Sequence, residues 1–200
     1  MKIAIVAGSH RHNSQSDKVA GYCAKVSATL GAEPTVLSLA GNPLPLWSEE
    51  AWQENSELAK TFLPYSQTLA EADAVVLITP EWGGMATPAI KNFLLLCNKN
   101  ELAHKPGLIV GVSSGRGGSY PIAELRMSGY KNNHICLIPE NLIISKVEAV
   151  LNEGDAATKD DQYIRDRLTH ALTSLVTYAR VLQPVRQSLV EGLAEYPYGM

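Results

Sequence analysis

The sequence lacks the features that mark secreted, membrane-bound or nucleic-acid-binding proteins. Its net charge of −3 over 200 residues gives no reason to expect nucleic acid or an anionic membrane as a partner. No apolar stretch reaches the ~18 residues that a membrane-spanning helix needs. A strand-like run that begins at residue 2 leaves no room for a signal peptide. We therefore expect a cytoplasmic protein.

Cysteine is scarce, and its three copies (Cys23, Cys97 and Cys136) lie far apart within apolar segments. An odd number at wide spacing favours buried thiols in a reducing compartment over a disulfide framework. The five histidines show no HExxH or other paired-ligand spacing. The sequence thus predicts neither disulfides nor a metal site.

The sequence does contain a regular alternation of strand and helix patterns. Apolar, β-branched runs predict strands at residues 2–7, 35–39, 73–79, 107–112 and either 136–138 or 142–145. The runs at 2–7 and 73–79 suit strands buried on both faces, and the run at 107–112 suits a further buried strand. Apolar residues at helical spacing predict helices at residues 14–30, 54–70, 88–96, 119–130 and 158–182. Pro64, inside the second helix, predicts a kink or an earlier helix start.

This alternation predicts an α/β protein with a five-stranded parallel sheet covered by helices on both faces. Right-handed crossovers favour a doubly wound, flavodoxin-like strand order, 2-1-3-4-5. We expect a single domain over residues 1–183. The tail, residues 184–200, is expected to form a short helix (185–193) with an extended end, and to be available for an oligomer contact. Ligands of such sheets bind outside the carboxyl ends of the strands, so the loops after strands 1, 3 and 4 should converge.

The loop after the first strand has the composition of an anion site. Its Ser and Arg side chains lead into a helix whose first backbone N–H groups are unpaired and whose dipole attracts negative charge. The loop matches neither GxGxxG nor GxxxxGK[ST], which favours a single terminal phosphate. The predicted phosphate ligands are Ser9, Arg11, Ser14, Gln15 and Ser16. Alternatively, Ser14 merely caps the helix and Arg11 is a solvated charge.

Two further loops at the same predicted edge are rich in glycine, and they read PEWGGMATP and SSGRGGSY. Glycine lets the main chain approach a flat ring closely, and exposed amides can hydrogen-bond the polar edge of an isoalloxazine. Glycines that simply end strands at tight turns explain one such loop better than three at one edge. The predicted ring-binding residues are Pro80, Glu81, Trp82, Gly83, Gly84, Ser113, Ser114, Gly115, Gly117 and Gly118.

Individual side chains in these loops have competing interpretations. Trp82 is either an aromatic wall of the pocket or a packing residue at the sheet edge. Glu81 is expected to be structural and paired with Arg116, and Lys91 to be a solvated or inter-subunit charge. Hydride transfer between stacked rings requires no protein acid or nucleophile, so we predict no catalytic side chain.

The third loop also fits the GxSxG pattern of a nucleophile elbow, through Gly111, Ser113 and Gly115. A hydrolase of that type needs a later histidine, and His134 and His170 are available. This alternative is less favoured because it leaves the phosphate loop without a role.

Taken together, the three loops resemble the signatures of the NADPH-dependent FMN reductase family, which includes azo-dye, quinone and chromate reductases. The first signature, close to GSxRxxSxN, is matched at Gly8, Ser9, Arg11 and Ser14, with Ser16 in place of Asn. The second, close to PEYNxSxPGxLKN, is matched at Pro80, Glu81, Lys91 and Asn92 and departs at Trp82, Gly83, Met85, Thr87 and Pro88. The third is matched at Gly117 and Gly118, followed by Leu125 and Arg126.

The resemblance implies FMN with its phosphate on the first loop and its ring between the other two, either as a prosthetic group or as a loosely held substrate. It implies hydride transfer from NADPH or NADH to the flavin N5, then reduction of a small-molecule acceptor by a ping-pong route. It also implies a homodimer or homotetramer. The alternatives are a flavodoxin-like electron carrier without nicotinamide activity, which is usually more acidic than this chain, and a scaffold without flavin.

Overall fold

The computed structural model describes residues 1–198, so Gly199 and Met200 of the predicted tail lie outside the described residues. The strands are β1 (Lys2–Ala7), β2 (Glu33–Ser38), β3 (Ala74–Pro80), β4 (Pro106–Val112) and β5 (Cys136–Ile144). They form one parallel sheet of order β2-β1-β3-β4-β5, which confirms the predicted topology.

Six α-helices occur in residues 1–198: α1 (Gln15–Thr29), α2 (Glu57–Glu71), α3 (Pro88–Leu96), α4 (Lys99–Leu102), α5 (Ser119–Met127) and α6 (Lys159–Gly192). Two short 3-10 helices span Glu49–Trp52 and Val147–Ala149. One apolar core cluster joins the sheet to α1 and α6, and a second joins it to α2, α3 and α5. The helices therefore cover both faces, as predicted.

The fifth strand contains both of the segments that were predicted as alternatives. It pairs with β4 through Leu137 opposite Gly107 and then through Asn141 opposite Ile109, so the register shifts between these pairs. Pro139 lies in the shifted part of the strand. Because proline has no N–H to donate to the ladder, an irregularity there lets one continuous strand include it.

Two helix boundaries differ from the predictions. Helix α2 begins at Glu57 because the Ser56 hydroxyl accepts a hydrogen bond from the Ala59 N–H at 3.0 Å. The predicted earlier start is therefore wrong. Pro64 lies in the interior of this helix. Helix α5 ends at Met127, three residues before the predicted end. The four-residue helix α4 was not predicted.

The last helix runs past its predicted end. Helix α6 continues through Pro184 to Gly192, so an end at Leu182 and a separate helix over 185–193 are both wrong, and the proposed division at residue 183 falls inside one helix. The Arg186 Nε donates to the Ala103 carbonyl at 3.1 Å, and the His134 Nε2 lies 3.0 Å from the Pro197 carbonyl oxygen. The end of the chain is therefore attached to the amino edge of the sheet.

Two of the three cysteines are buried, as expected, but Cys136 is exposed. Cys136 is the first residue of β5, an edge strand that has a neighbour, β4, on one side only. Within residues 1–198, no group of three or more His, Cys, Asp or Glu side chains is placed to hold a metal ion. No helix in the described part of the chain is long and apolar enough to cross a membrane.

Lys105 is fully buried beneath the end of α2. Its Nζ donates to the carbonyl of Leu69 and, at 3.0 Å, to the carbonyl of Ala70. Both carbonyls lie in the last turn of α2, where intrahelical partners run out and a cation is favoured. The pKa of Lys105 is lowered from 10.5 to about 7, mainly because the side chain is buried and also because the positive charge of Arg186 is near.

This pKa predicts a pH-dependent stability. Between pH ~7 and ~10.5 the unfolded chain holds more protons at Lys105 than the folded chain does, so the free energy of unfolding should rise with pH across this window. One group contributes at most about 1.4 kcal/mol per pH unit. Urea unfolding at several pH values should show a shallower rise in Lys105→Met than in wild type. The exposed Lys131→Met variant is the matched control, and equal slopes in all three proteins would contradict the lowered pKa.

Candidate functional site

Three loops meet at the carboxyl edge of the sheet, and we name them loop A (residues 8–13, after β1), loop B (81–87, after β3) and loop C (113–118, after β4). The strand ladder continues into them, because the Gly8 N–H donates to the Ile78 carbonyl at 2.7 Å and the Glu81 N–H to the Val112 carbonyl at 2.8 Å. The predicted convergence of the loops is therefore present in the fold.

The start of helix α3 connects loop B to loop A. Thr87 caps this helix by accepting a hydrogen bond from the Ile90 N–H at 3.3 Å, and its hydroxyl donates to the Gly8 carbonyl. Thr87 is fully buried. A Cβ at Gly8 would lie 2.6 Å from the Ile78 carbonyl oxygen and 3.0 Å from the Ile90 Cβ, so the close approach of loop A to β3 and α3 requires glycine there.

The second turn of α3 holds the loop that follows β2. The Asn92 side chain accepts from the Trp47 N–H at 2.7 Å and donates to the Pro45 carbonyl at 2.8 Å. In the same region the Gly41 N–H donates to the His10 carbonyl at 3.0 Å, which links this loop to loop A. Asn92, known from the sequence only as part of a signature, thus has a structural role.

Two carboxylates hold loop B against loop C and the helix α5 that follows it. Glu81 of loop B accepts from the Gly118 N–H of loop C at 2.5 Å, and Glu124 of α5 accepts from the Ala86 N–H of loop B at 2.7 Å. The Lys91 Nζ lies 2.6 Å from Glu124. The hydrogen bonds from Lys91 and from Ala86 lower the pKa of the Glu124 carboxyl below its ordinary value. Lys91 is therefore held in an ion pair within this chain.

The predicted ion pair between Glu81 and Arg116 is wrong, although the structural role expected of Glu81 is confirmed. The carboxylate faces the backbone of loop C, where a Cβ at Gly117 would lie 2.5 Å from the Glu81 Oε1. Glycine at position 117 leaves room for this contact, and Gly118 caps α5 with a φ of +115°. Arg116 is exposed and makes no ion pair with any residue between 1 and 198.

The tip of loop B is a two-residue hairpin. Trp82 and Met85 exchange backbone hydrogen bonds of 3.0 and 3.1 Å around Gly83 and Gly84, whose φ values of +58° and +76° are those of a type I′ turn. The Trp82 ring packs edge-on against the His10 ring, with centroids 4.5 Å apart. No pattern in the sequence predicted this contact. It agrees with the packing interpretation of Trp82, while a role as a pocket wall stays a prediction.

The first turn of α1 contains polar groups with and without partners. The Ser14 hydroxyl donates to the Asp17 Oδ2 at 2.7 Å and accepts from the Asp17 N–H at 3.1 Å, so it caps the helix. In contrast, the Ser16 Oγ and the Gln15 Oε1 are buried without a hydrogen-bond partner in the described chain. Buried polar groups are nearly always hydrogen-bonded, so this turn has the properties of a site that a ligand completes.

The remaining residues of loop A have smaller roles in the fold. The Ser9 side chain is buried, and its Oγ accepts from the Arg11 N–H at 3.3 Å, which bends the loop. The Arg11 side chain is exposed beside the start of α1. An arginine, unsatisfied buried polar groups and the free N–H groups of a helix start are a donor set that fits a phosphate.

The geometry does not support a nucleophile elbow. The Ser113 Oγ accepts from the Gly115 N–H at 3.1 Å. His134 lies before β5, at the opposite edge of the sheet, and His170 of α6 lies 3.6 Å from Glu140. No histidine in residues 1–198 hydrogen-bonds Ser113, so the hydrolase hypothesis is wrong.

Known proteins resemble this chain in sequence and in fold. A family model described as NADPH-dependent FMN reductase matches residues 1–149. An NADPH azoreductase from Bacillus sp. (strain OY1-2) is 26% identical over 190 residues, covering 94% of this chain and 98% of the relative. A 2-hydroxy-1,4-benzoquinone reductase from Burkholderia sp. is 26% identical over 160 residues, covering 78% and 81%. A flavoenzyme NAD(P)H:(acceptor) oxidoreductase from Paracoccus denitrificans has a similar fold, with a TM-score of 0.69, 20% identity and coverage of 90% and 98%.

The contact between loops B and C predicts different effects for two glycine substitutions. Gly117→Ala should lower the free energy of unfolding by about 1–3 kcal/mol, because the new Cβ would overlap the Glu81 carboxylate. Gly115→Ala is the matched control, since the nearest atom to its Cβ would be the Ser113 Oγ at 3.8 Å. Urea unfolding of the two variants measures the difference. Equal stabilities would show that Glu81 does not hold loop C as described.

Proposed function

Since the chain belongs to the NADPH-dependent FMN reductase family, we propose that FMN binds at the carboxyl edge of the sheet, with its phosphate on the first turn of α1 and its ring between loops B and C. The protein is an oxidoreductase that uses FMN and NADPH and acts on a small-molecule acceptor. The observation that carries the placement of FMN is the buried Ser16 hydroxyl, which has no hydrogen-bond partner within residues 1–198.

Each group in the phosphate site has a definite role. The Ser16 hydroxyl, the Gln15 Nε2 amide group and the backbone N–H groups of these two residues donate hydrogen bonds to the phosphate oxygens. Arg11 supplies a full positive charge, and the helix dipole adds to it. Ser14 orders the turn through its bonds to Asp17, whose other carboxylate oxygen accepts from the Ser38 hydroxyl at 2.7 Å.

The ring site uses the main chain of loops B and C. Hydrogen bonds within the protein occupy the N–H groups of Trp82, Met85 and Gly118. Gly83 and Gly84 are exposed at the hairpin tip, and Ser114 and Gly115 are exposed in loop C. These open segments, with Pro80 at the end of β3, border the space where we place the ring.

When bound, FMN supplies a two-electron carrier that takes hydride at N5 from the nicotinamide and passes it to the acceptor in a ping-pong sequence. This chain binds and orients the reactants and limits access of water to the ring. In this proposal no side chain needs to act as an acid or a nucleophile.

We infer that the acceptor is a flat conjugated compound of the azo or quinone type. The names of the azoreductase and benzoquinone reductase relatives support this class. The half-buried Trp82 ring and the Met85 side chain, which is 57% exposed, offer an aromatic and a polarisable surface beside the proposed ring site.

We also propose that the chain forms a homodimer or homotetramer. Three large apolar side chains on α3 and α5 are exposed in the single chain. Tyr120 lies at the start of α5, next to loop C, whereas Leu95 and Met127 lie near the far ends of α3 and α5. A second copy that covers them would bury an apolar surface that begins beside loop C.

Reduction under anaerobic conditions tests the proposed function. Mixing the FMN-loaded protein with NADPH should bleach the blue absorbance of the flavin within seconds, and a quinone added after NADPH is exhausted should restore it. The second step separates a ping-pong order from one that needs both substrates together. A protein that binds FMN but is not bleached by NADPH would instead be an electron carrier.

The phosphate site predicts a large effect of Arg11. Arg11→Ala should weaken FMN binding by about 1.5–3 kcal/mol, or roughly 10- to 150-fold in Kd, because one charge-assisted hydrogen bond is lost. Quenching of FMN fluorescence during titration measures the Kd. Arg180→Ala, which removes an exposed arginine of α6, is the matched control. An unchanged Kd in Arg11→Ala would place the phosphate elsewhere.

A further inference from the structure

Two exposed cations from distant parts of the sequence lie side by side at the outer end of loop C. Arg116 is in loop C, and Lys146 follows β5. The Lys146 N–H donates to the carbonyl of Gly115 at 2.8 Å, and the Ser145 hydroxyl donates to the carbonyls of Arg116 at 3.3 Å and of Gly117 at 2.8 Å. The backbones that carry the two cations are therefore fixed relative to each other.

The two charged groups are free. Neither Arg116 nor Lys146 makes an ion pair with another residue in the part of the chain that the structure describes, and their hydrogen bonds run through backbone atoms. Two acids in this region interact with other groups. Glu81 accepts a hydrogen bond from the Gly118 N–H. The charge of Glu148 raises the pKa of Lys18, although burial lowers that pKa by more.

The backbone of Lys146 supports a functional reason for its side chain. Its φ of +49° and ψ of +43° are left-handed, a conformation that Gly, Asn or Asp adopts at lower cost than lysine. Lys146 is therefore strained. Its side chain is exposed and makes no ion pair within residues 1–198 that would offset this strain. Strain of this kind is concentrated at functional sites.

The position of the pair excludes the FMN phosphate as its ligand. The proposed FMN phosphate lies on α1, which follows β1, whereas Arg116 and Lys146 follow β4 and β5. At ~4.8 Å between neighbouring strands, β1 and β5 are about 14 Å apart along the sheet edge. The pair therefore lies beyond the ring site, on the side away from the phosphate of FMN.

We propose that Arg116 and Lys146 bind phosphate groups of NADPH when its nicotinamide stacks on the flavin ring. This rests on the proposed function and names the residues that recognise its reductant. NADPH carries its negative charge on a diphosphate and on a 2′-phosphate, both well removed from the nicotinamide ring. Arginine binds phosphate oxygens in a bidentate manner, and lysine adds a point charge. In a chain of net charge −3, two adjacent free cations are a local site for such an anion.

Variants can remove the charges while keeping the backbone. Lys146→Asn is suited to the left-handed conformation, and Arg116→Gln preserves a polar side chain of similar length. The control is Lys131→Gln, which removes an exposed positive charge from the segment that leads into the amino end of β5. Equal thermal unfolding midpoints would show that the double variant Arg116→Gln/Lys146→Asn is folded.

Isothermal titration calorimetry of the FMN-loaded protein with 2′,5′-ADP and with ADP gives a readout that does not depend on turnover. The double variant should weaken binding about tenfold or more, and Lys131→Gln should not. Loss confined to 2′,5′-ADP assigns the pair to the 2′-phosphate, and equal loss for both nucleotides assigns it to the 5′-phosphate that they share, which in NADPH is one half of the diphosphate. Unchanged binding in the double variant, equal weakening in the control, or no binding by wild type would overturn the proposal.

Steady-state kinetics separate this inference from the proposed function. The KM for NADPH should rise in the double variant while kcat changes little, and the KM for NADH should rise only if the diphosphate is the ligand. If wild type is bleached by NADPH and the double variant keeps the wild-type KM, the inference fails while the function stands. If wild type is not bleached, the proposed function fails, and the calorimetry still reports on the anion site.

Discussion

The hydrogen bond from the buried Thr87 hydroxyl to the Gly8 carbonyl is the contact on which the arrangement of the site depends. It fixes the start of α3 against the loop after β1. From there α3 reaches the loop after β2 through Asn92, and reaches α5 through the ion pair of Lys91 with Glu124. One short helix thus connects loop B, from which it starts, to loop A, to the loop after β2 and to helix α5.

Much of the fold was accessible from the sequence because it depends on local patterns. Central strands buried on both faces are continuous apolar runs, and β1 and α3 begin and end where the patterns predicted. Right-handed crossovers then leave few strand orders, and the predicted one is observed. The convergence of three loops follows from that order. The likeness of these loops to a family signature added the chemistry, which the residues alone left open.

What the sequence did not predict depends on contacts between distant residues. Glu81 was expected to pair with Arg116 because opposite charges attract, but the backbone N–H of Gly118 is closer once loop C is folded. Helix α6 was predicted to end at Leu182, yet it continues through Pro184, and Arg186 beyond it donates to the Ala103 carbonyl. Arg116 and Lys146 are 30 positions apart and come together only through the pairing of β4 with β5. Local propensity carries no information on such contacts.

The hairpin at Gly83 and Gly84 has a consequence for how proteins with this architecture diversify. A type I′ turn closes on its own two hydrogen bonds, so its register does not rely on the rest of the site. Met85, its exposed side chain, can therefore be exchanged without moving the helix behind it, whereas Trp82 packs against the His10 ring. Substitutions in this hairpin can therefore change which acceptors approach the proposed ring site while the sheet and the helices keep their positions.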